Sequence, residues 1–88
     1  MFIVIEHEIH DPEQFKCSAE RVFPSPDDLQ VHTFLPARDL KRATCLYEGP
    51  SIDRVRSHLD PAIGKAATQH YFPVAEQEAM GLPTQVAR

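Results

Sequence analysis

Glu6, His32, Cys45 and Tyr47 bring a carboxylate, an imidazole, a thiol and a phenol into short apolar stretches of an otherwise plain sequence. An imidazole, a carboxylate and a thiolate together suit nickel, zinc or copper better than magnesium or calcium, because softer ions accept nitrogen and sulfur donors. Neutral imidazole is available for ligation near pH 7. Each residue also has a plainer reading. A lone histidine in a half-buried strand is commonly a hydrogen-bonded structural residue, and Cys45 can be a small core filler. Tyr47 can bury its ring while its hydroxyl finds a partner. His7 and His10 stand at i and i+3, which point opposite ways on a strand, so both read as surface histidines near a loop. His58 reads as solvent-facing on a helix. The three glycines are unclustered, so no phosphate-cradling loop is present, and no serine sits in a nucleophile elbow.

Strands and helices must position these groups. Ala43 to Tyr47 has the β-branched and aromatic character of a strand. Gly49-Pro50 breaks it, and Ser51 caps a helix whose apolar residues are Ile52, Val55 and Leu59. Phe2 to Ile9 reads as a first strand. Asp11-Pro12 then opens a helix with Phe15, Ala19, Val22 and Phe23 on one stripe. Pro24 to Asp28 is a loop, Leu29 to Leu35 a second strand, and Pro36 to Lys41 a connection. Arg42 to Glu48 is the third strand and Ser51 to Asp60 the second helix. Gln69 to Val74 is a fourth strand, which Pro73 suits to a sheet edge. The order is βαββαβ, the ferredoxin-like α+β pattern of a four-stranded antiparallel sheet with two helices on one face. It predicts a domain over residues 1–75 and a polar C-terminal tail over 76–88.

The strand period of two assigns faces. With Leu46 against the helices, Cys45 and Tyr47 fall on the open face. With Val31, Thr33 and Leu35 inside, His32 and Phe34 join them. Ile3 and Ile5 suit the core and leave Val4, Glu6 and Glu8 outside. Glu6, His32, Cys45 and Tyr47 then converge on the open face. That face, carrying Phe2, Val4, Phe34 and Tyr47, is too apolar for water, and pairing it with a second copy in a symmetric homodimer is the economical solution.

Composition narrows the classes. At 88 residues the chain makes one domain that buries only ~60–65% of its unfolded surface. The net charge of −4 with scattered basic residues argues against a nucleic-acid partner. No apolar run approaches the roughly 20 residues needed to cross a bilayer, so no membrane partner is expected. Met1 to Ile9 carries Glu6, His7 and Glu8 without a basic leader, unlike a secretory signal. Cys17 and Cys45 therefore read as free thiols in a reducing cytoplasm.

Val4-Ile5-Glu6-His7, His32-Thr33-Phe34 and Cys45-Leu46-Tyr47-Glu48-Gly49-Pro50-Ser51 together resemble a small family of nickel-binding, ferredoxin-like proteins first catalogued as a domain of unknown function. Its members carry a Val-Glu-Arg-type strand, a His-Ser-Tyr-type strand and Cys-x-Tyr-Glu-Ala-Pro before the second helix. The resemblance covers most of residues 2–60. This chain has His7 where an arginine is usual, Thr33-Phe34 for Ser-Tyr, and Gly49 for alanine. The resemblance implies a dimeric α+β barrel holding nickel or another transition metal, and Glu6, His32, Cys45 and Tyr47 are the metal candidates of this chain. A small ligand on the same face, without turnover, is the related expectation. The wider barrel superfamily includes small cofactor-free monooxygenases, so an enzyme holding a planar substrate beside His32 and Tyr47 is the alternative. No matched acid–base pair is evident in the sequence.

Overall fold

The computed structural model describes residues 1–83. Of the tail expected over 76–88, residues 84–88 lie outside the described residues. The elements run β1 (Phe2–Ile9), α1 (Pro12–Cys17), α2 (Ala19–Val22), β2 (Gln30–Pro36), β3 (Arg42–Glu48), α3 (Ile52–Ile63) and β4 (Ala67–Pro73), with a short 3₁₀ turn at Gly64–Ala66. The strands form one antiparallel sheet in the order β2-β3-β1-β4. That α+β arrangement is compatible with a ferredoxin-like fold. Pro73 lies in an edge strand, where its missing N–H costs no ladder bond.

Local chemistry explains the boundaries. Asp11 accepts from the Gln14 N–H at 3.1 Å and Pro12 occupies the first turn of α1. The single apolar stripe predicted from Phe15 to Phe23 is divided at Ser18, whose hydroxyl donates to the Phe15 carbonyl at 2.6 Å. Such a local side-chain bond competes with continuous helix. Val22 is buried, whereas Phe23 stays 45% exposed because the chain is already extended there. Ser51 caps α3 by accepting from the Arg54 N–H at 3.1 Å. The helix runs through Pro61 to Ile63, past the predicted stop at Asp60, and ends where Gly64 takes a φ of 62°. Gly49 makes the β3–α3 step compact: a Cβ there would lie 2.7 Å from Leu29 Cδ2 and 3.3 Å from Val55 Cγ2.

The core lies between one face of the sheet and the helices. Ile3, Ile5 and Ile9 of β1 pack with Ala43, Cys45 and Tyr47 of β3 and with Val22, Val55 and Leu59 of the helices. Fully burying each large aliphatic side chain is worth about 1.5–3 kcal/mol. Two bonds tie α2 to α3: Arg21 Nε donates to the Ala62 carbonyl at 2.7 Å, and His58 Nε2 donates to the Val22 carbonyl at 2.9 Å. His58 is thus half-buried between helices rather than solvent-facing. The β1–β4 pairing continues one residue past Pro73, with the Val74 N–H donating to the Phe2 carbonyl at 2.9 Å.

The face assignment of β3 and half of β2 is the reverse of the sequence expectation. Cys45 pairs with Ile5 and Tyr47 with Ile3, so both lie on the helix side, and Leu46 lies outside. The physical reason is parity: Ala43, Cys45 and Tyr47 alternate as one buried set, which outweighs the aliphatic pull of Leu46. In β2 the register shifts between Val31 and Thr33. The extra residue, His32, puts Val31 and Phe34 opposite Tyr47 and Cys45 on the helix side. It sends Thr33 and Leu35 outward, opposite Leu46 and Thr44.

Candidate functional site

Between the sheet and the helices lies a cavity of about 540 Å³ that is open to solvent on one side. Its wall on the sheet side is made by His7, Cys45, Tyr47 and Val31, and its roof by Phe15, with Leu59 behind. Phe15 and Phe34 stack with centroids 6.2 Å apart and an interplanar angle of 27°. Phe23, Phe34 and Lys16 line the cavity while remaining exposed, so they form its rim. The thinness of a small domain explains the space: the two short helices α1 and α2 replace one long one and leave the sheet incompletely covered.

The wall carries one polar constellation. His7 is 3% exposed and its Nε2 lies 3.1 Å from Cys45 Sγ, while its Nδ1 lies 3.3 Å from Gln69 Oε1. Gln69 Nε2 donates to Asp60 Oδ1 at 3.0 Å, and the Tyr71 hydroxyl donates to the same oxygen at 2.6 Å. This chain of bonds orders the protons. The Asp60 carboxylate only accepts, so Gln69 turns its amide nitrogen to it and its carbonyl oxygen to His7. His7 Nδ1 must then carry the proton, leaving Nε2 as an acceptor for the Cys45 thiol. Register builds the pair, because His7 faces Ala43 and Ile5 faces Cys45, which makes His7 and Cys45 diagonal neighbours on one face. The Phe15 ring and the imidazole pack T-shaped, with centroids 5.3 Å apart at 62°.

Burial keeps these groups neutral. It lowers the His7 pKa below its ordinary 6.5, and the Gln69 bond and Asp60 charge only partly oppose it. Burial pushes the Cys45 thiol up to about 12 and the Tyr47 phenol also to about 12. The resting pair is a thiol donating to an imidazole, not a thiolate beside an imidazolium. Free cysteines are Cys17, exposed, and Cys45, buried, among the described residues.

The four residues read from the sequence as metal candidates are not brought together within the chain. Cys45 and Tyr47 face the helices, and Glu6 is exposed on the opposite face, paired with Thr44 and His70. His32 bonds Glu48 Oε1 at 2.9 Å and lies against Phe2, with ring centroids 5.6 Å apart. Phe2 is four residues, or about 13 Å at a rise of ~3.3 Å per residue, from Glu6 along β1, so His32 lies at the far end of that strand from Glu6. Among the described residues no three His, Cys, Asp or Glu side chains are grouped so that they can hold a metal ion. Within one chain these four residues therefore form no single site for the nickel or other transition metal implied by the resemblance.

His7, Gln69 and Asp60 went unread as site residues. The signal for His7 was its parity with Ile3, Ile5 and Ile9, which places an imidazole on a buried face. Gln69 and Asp60 gave no comparable signal, since their roles depend on the β1–β4 register and the reach of α3.

Fold and site together define a small α+β protein with a mostly apolar cavity, on whose wall the buried His7–Cys45 pair sits. No protein-family model, curated protein or solved structure matches the chain.

Proposed function

We propose that this protein binds a small, largely apolar organic molecule in the cavity between the sheet and α1–α2. The observation that carries the reading is the cavity itself, about 540 Å³ and walled mostly by apolar and aromatic side chains with His7 at one place on its surface. Binding pockets have this build: concave, mainly apolar, with few placed polar groups. The neutral state of His7, Cys45 and Tyr47 supports an uncharged ligand, since a buried ion would need a partner that this wall lacks. The test is titration with the apolar fluorophore N-phenylnaphthylamine. One molecule per chain should bind with enhanced emission. Ala19→Trp, at an exposed position on the lining, should abolish the signal while leaving thermal unfolding unchanged. Unsaturable binding, or equal binding by the variant, refutes the reading.

The open face supports a companion reading, self-association. Thr33, Leu46, Val4 and Phe72 form one row across all four strands. Phe72 is 46% exposed and Leu35, in the adjacent row, is 62% exposed. Together with the implied barrel dimer, this favours a second copy of the chain over that row. Sedimentation velocity should give a dimer that Phe72→Asp converts to monomer; a monomeric wild-type chain at high concentration refutes it.

A further inference from the structure

We infer that the ligand of this cavity carries a hydroxyl group on an aromatic ring, and that the hydroxyl donates to His7 Nε2 in place of the Cys45 thiol. The inference rests on the cavity reading and names the ligand's chemistry.

The acceptor is fixed by the bonds behind it. Asp60 accepts from both Gln69 and Tyr71, Gln69 accepts from His7 Nδ1, and the lone pair of Nε2 therefore points to the cavity wall. What occupies it at rest is a thiol, 3.1 Å away. A thiol is a weak donor, so a ligand O–H forms the stronger bond to the same nitrogen. Exchange leaves no buried polar group orphaned, because an S–H group tolerates an apolar setting as a small hydrophobe. The other titratable groups near the imidazole are the Cys45 thiol on β3, Asp60 on α3 behind Gln69, and Tyr71 on β4 beyond Asp60. None of them competes as an acceptor at the wall.

The ring follows from the roof. Phe15 packs T-shaped on His7 and stacks along Phe34, so a flat ring entering past the rim meets two aromatic side chains on its way to the nitrogen. Among the described residues on the lining the only lysine or arginine is Lys16, exposed at the rim, and the imidazole of His32 is already taken by Glu48. A carboxylate or phosphate would thus be desolvated against an apolar wall, and the hydroxyl remains the group that fits.

The experiment compares phenol with toluene, which has the same shape but no donor, by heteronuclear NMR titration of the full chain. In a purely apolar cavity toluene is favoured roughly 10-fold or more, because an unbonded hydroxyl is costly to bury. Here phenol should bind at least as tightly as toluene. His7→Leu should restore the toluene preference. Cys45→Ala, which removes the competing donor and little volume, should raise the phenol-to-toluene affinity ratio severalfold. Toluene binding ~10-fold tighter than phenol to the wild-type chain overturns the hydroxyl assignment and leaves the cavity reading intact. An unchanged ratio in Cys45→Ala also overturns it, even where His7→Leu does not fold. Failure of both compounds to bind overturns the cavity reading and this inference with it.

Discussion

Two sides of a single strand behave as two different solvents. On β1, His7 is 3% exposed between Ile5 and Ile9, while Glu6 and Glu8, its immediate neighbours, stand in water. The helix side holds an imidazole, a thiol and a phenol, all neutral and joined to one another or to the core. The open side holds charges, with Glu6 paired beside Thr44 and His70, and Glu8 beside Arg42. Residue type alone does not separate them; parity does. The polar residues that count for chemistry are those that were desolvated and then supplied with partners, which is why the anchor is His7 and not the more conspicuous Glu6.

Breaking the buried side should cost most. Tyr47→Ala is expected to lower unfolding free energy by about 3–5 kcal/mol in urea denaturation, the cost of emptying a fully buried aromatic position. Leu46→Ala, one residue away on the open side and only half-buried, should cost less than ~2 kcal/mol. Equal costs would erase the contrast between the faces.

Acid and alkali probe the same contrast. Because the His7 pKa is lowered in the folded protein, the unfolded chain takes up a proton first as pH falls below about 6.5. Stability therefore rises with pH through the window between the lowered value and 6.5, and acidification removes it at up to ~1.4 kcal/mol per pH unit. His7→Leu should flatten that limb of a stability-versus-pH curve. At the other end, Cys45 is raised from 9.0 to about 12 and Tyr47 from 10.0 to about 12. The unfolded chain ionises first there, so stability should decline as pH climbs above 9; Cys45→Ala should delay the decline.

Packing around the cavity is uneven, and smaller effects should map it. Gly49→Ala is expected to cost ~1–2 kcal/mol, since the added methyl meets Leu29 and Val55. Among the described residues Ser25 Oγ is buried with no hydrogen bond of good geometry, although it lies close enough to the Tyr47 phenol to pull that group's pKa down slightly. Ser25→Ala should therefore leave the melting temperature unchanged or raise stability by up to ~1 kcal/mol. A loss there would mean the hydroxyl is bonded in solution.

The elements were legible where local signals were strong. Asp11-Pro12, Gly49-Pro50-Ser51 and Pro73 each announced a cap, a break or an edge, and β3 spans Arg42–Glu48 as expected. The faces were harder. Leu46 is the largest aliphatic residue of β3 and drew the assignment inward, yet the strand follows Ala43, Cys45 and Tyr47 because those match Ile5 and Ile3 across the ladder. In β2 the alternation of Val31, Thr33 and Leu35 was real in the sequence, but the bulge at His32 broke it, and no single residue there marks a bulge. The site suffered accordingly: its anchor, His7, was read as a surface residue although the faces of its strand were assigned correctly, and its partner lay on a strand read backwards.

The extra residue at His32 also acts as a phase shifter, so β2 is read in two frames, one on each side of it. Substitutions within either frame change one side chain, whereas deleting a single residue at the junction would merge the frames. Without His32, Val31, Thr33, Phe34 and Leu35 would follow one another opposite Tyr47, Leu46, Cys45 and Thr44, each on the face it already occupies, so Phe34 would stay at the cavity rim. The strand thus carries one residue of slack, and the length change it absorbs most easily is the loss of that residue.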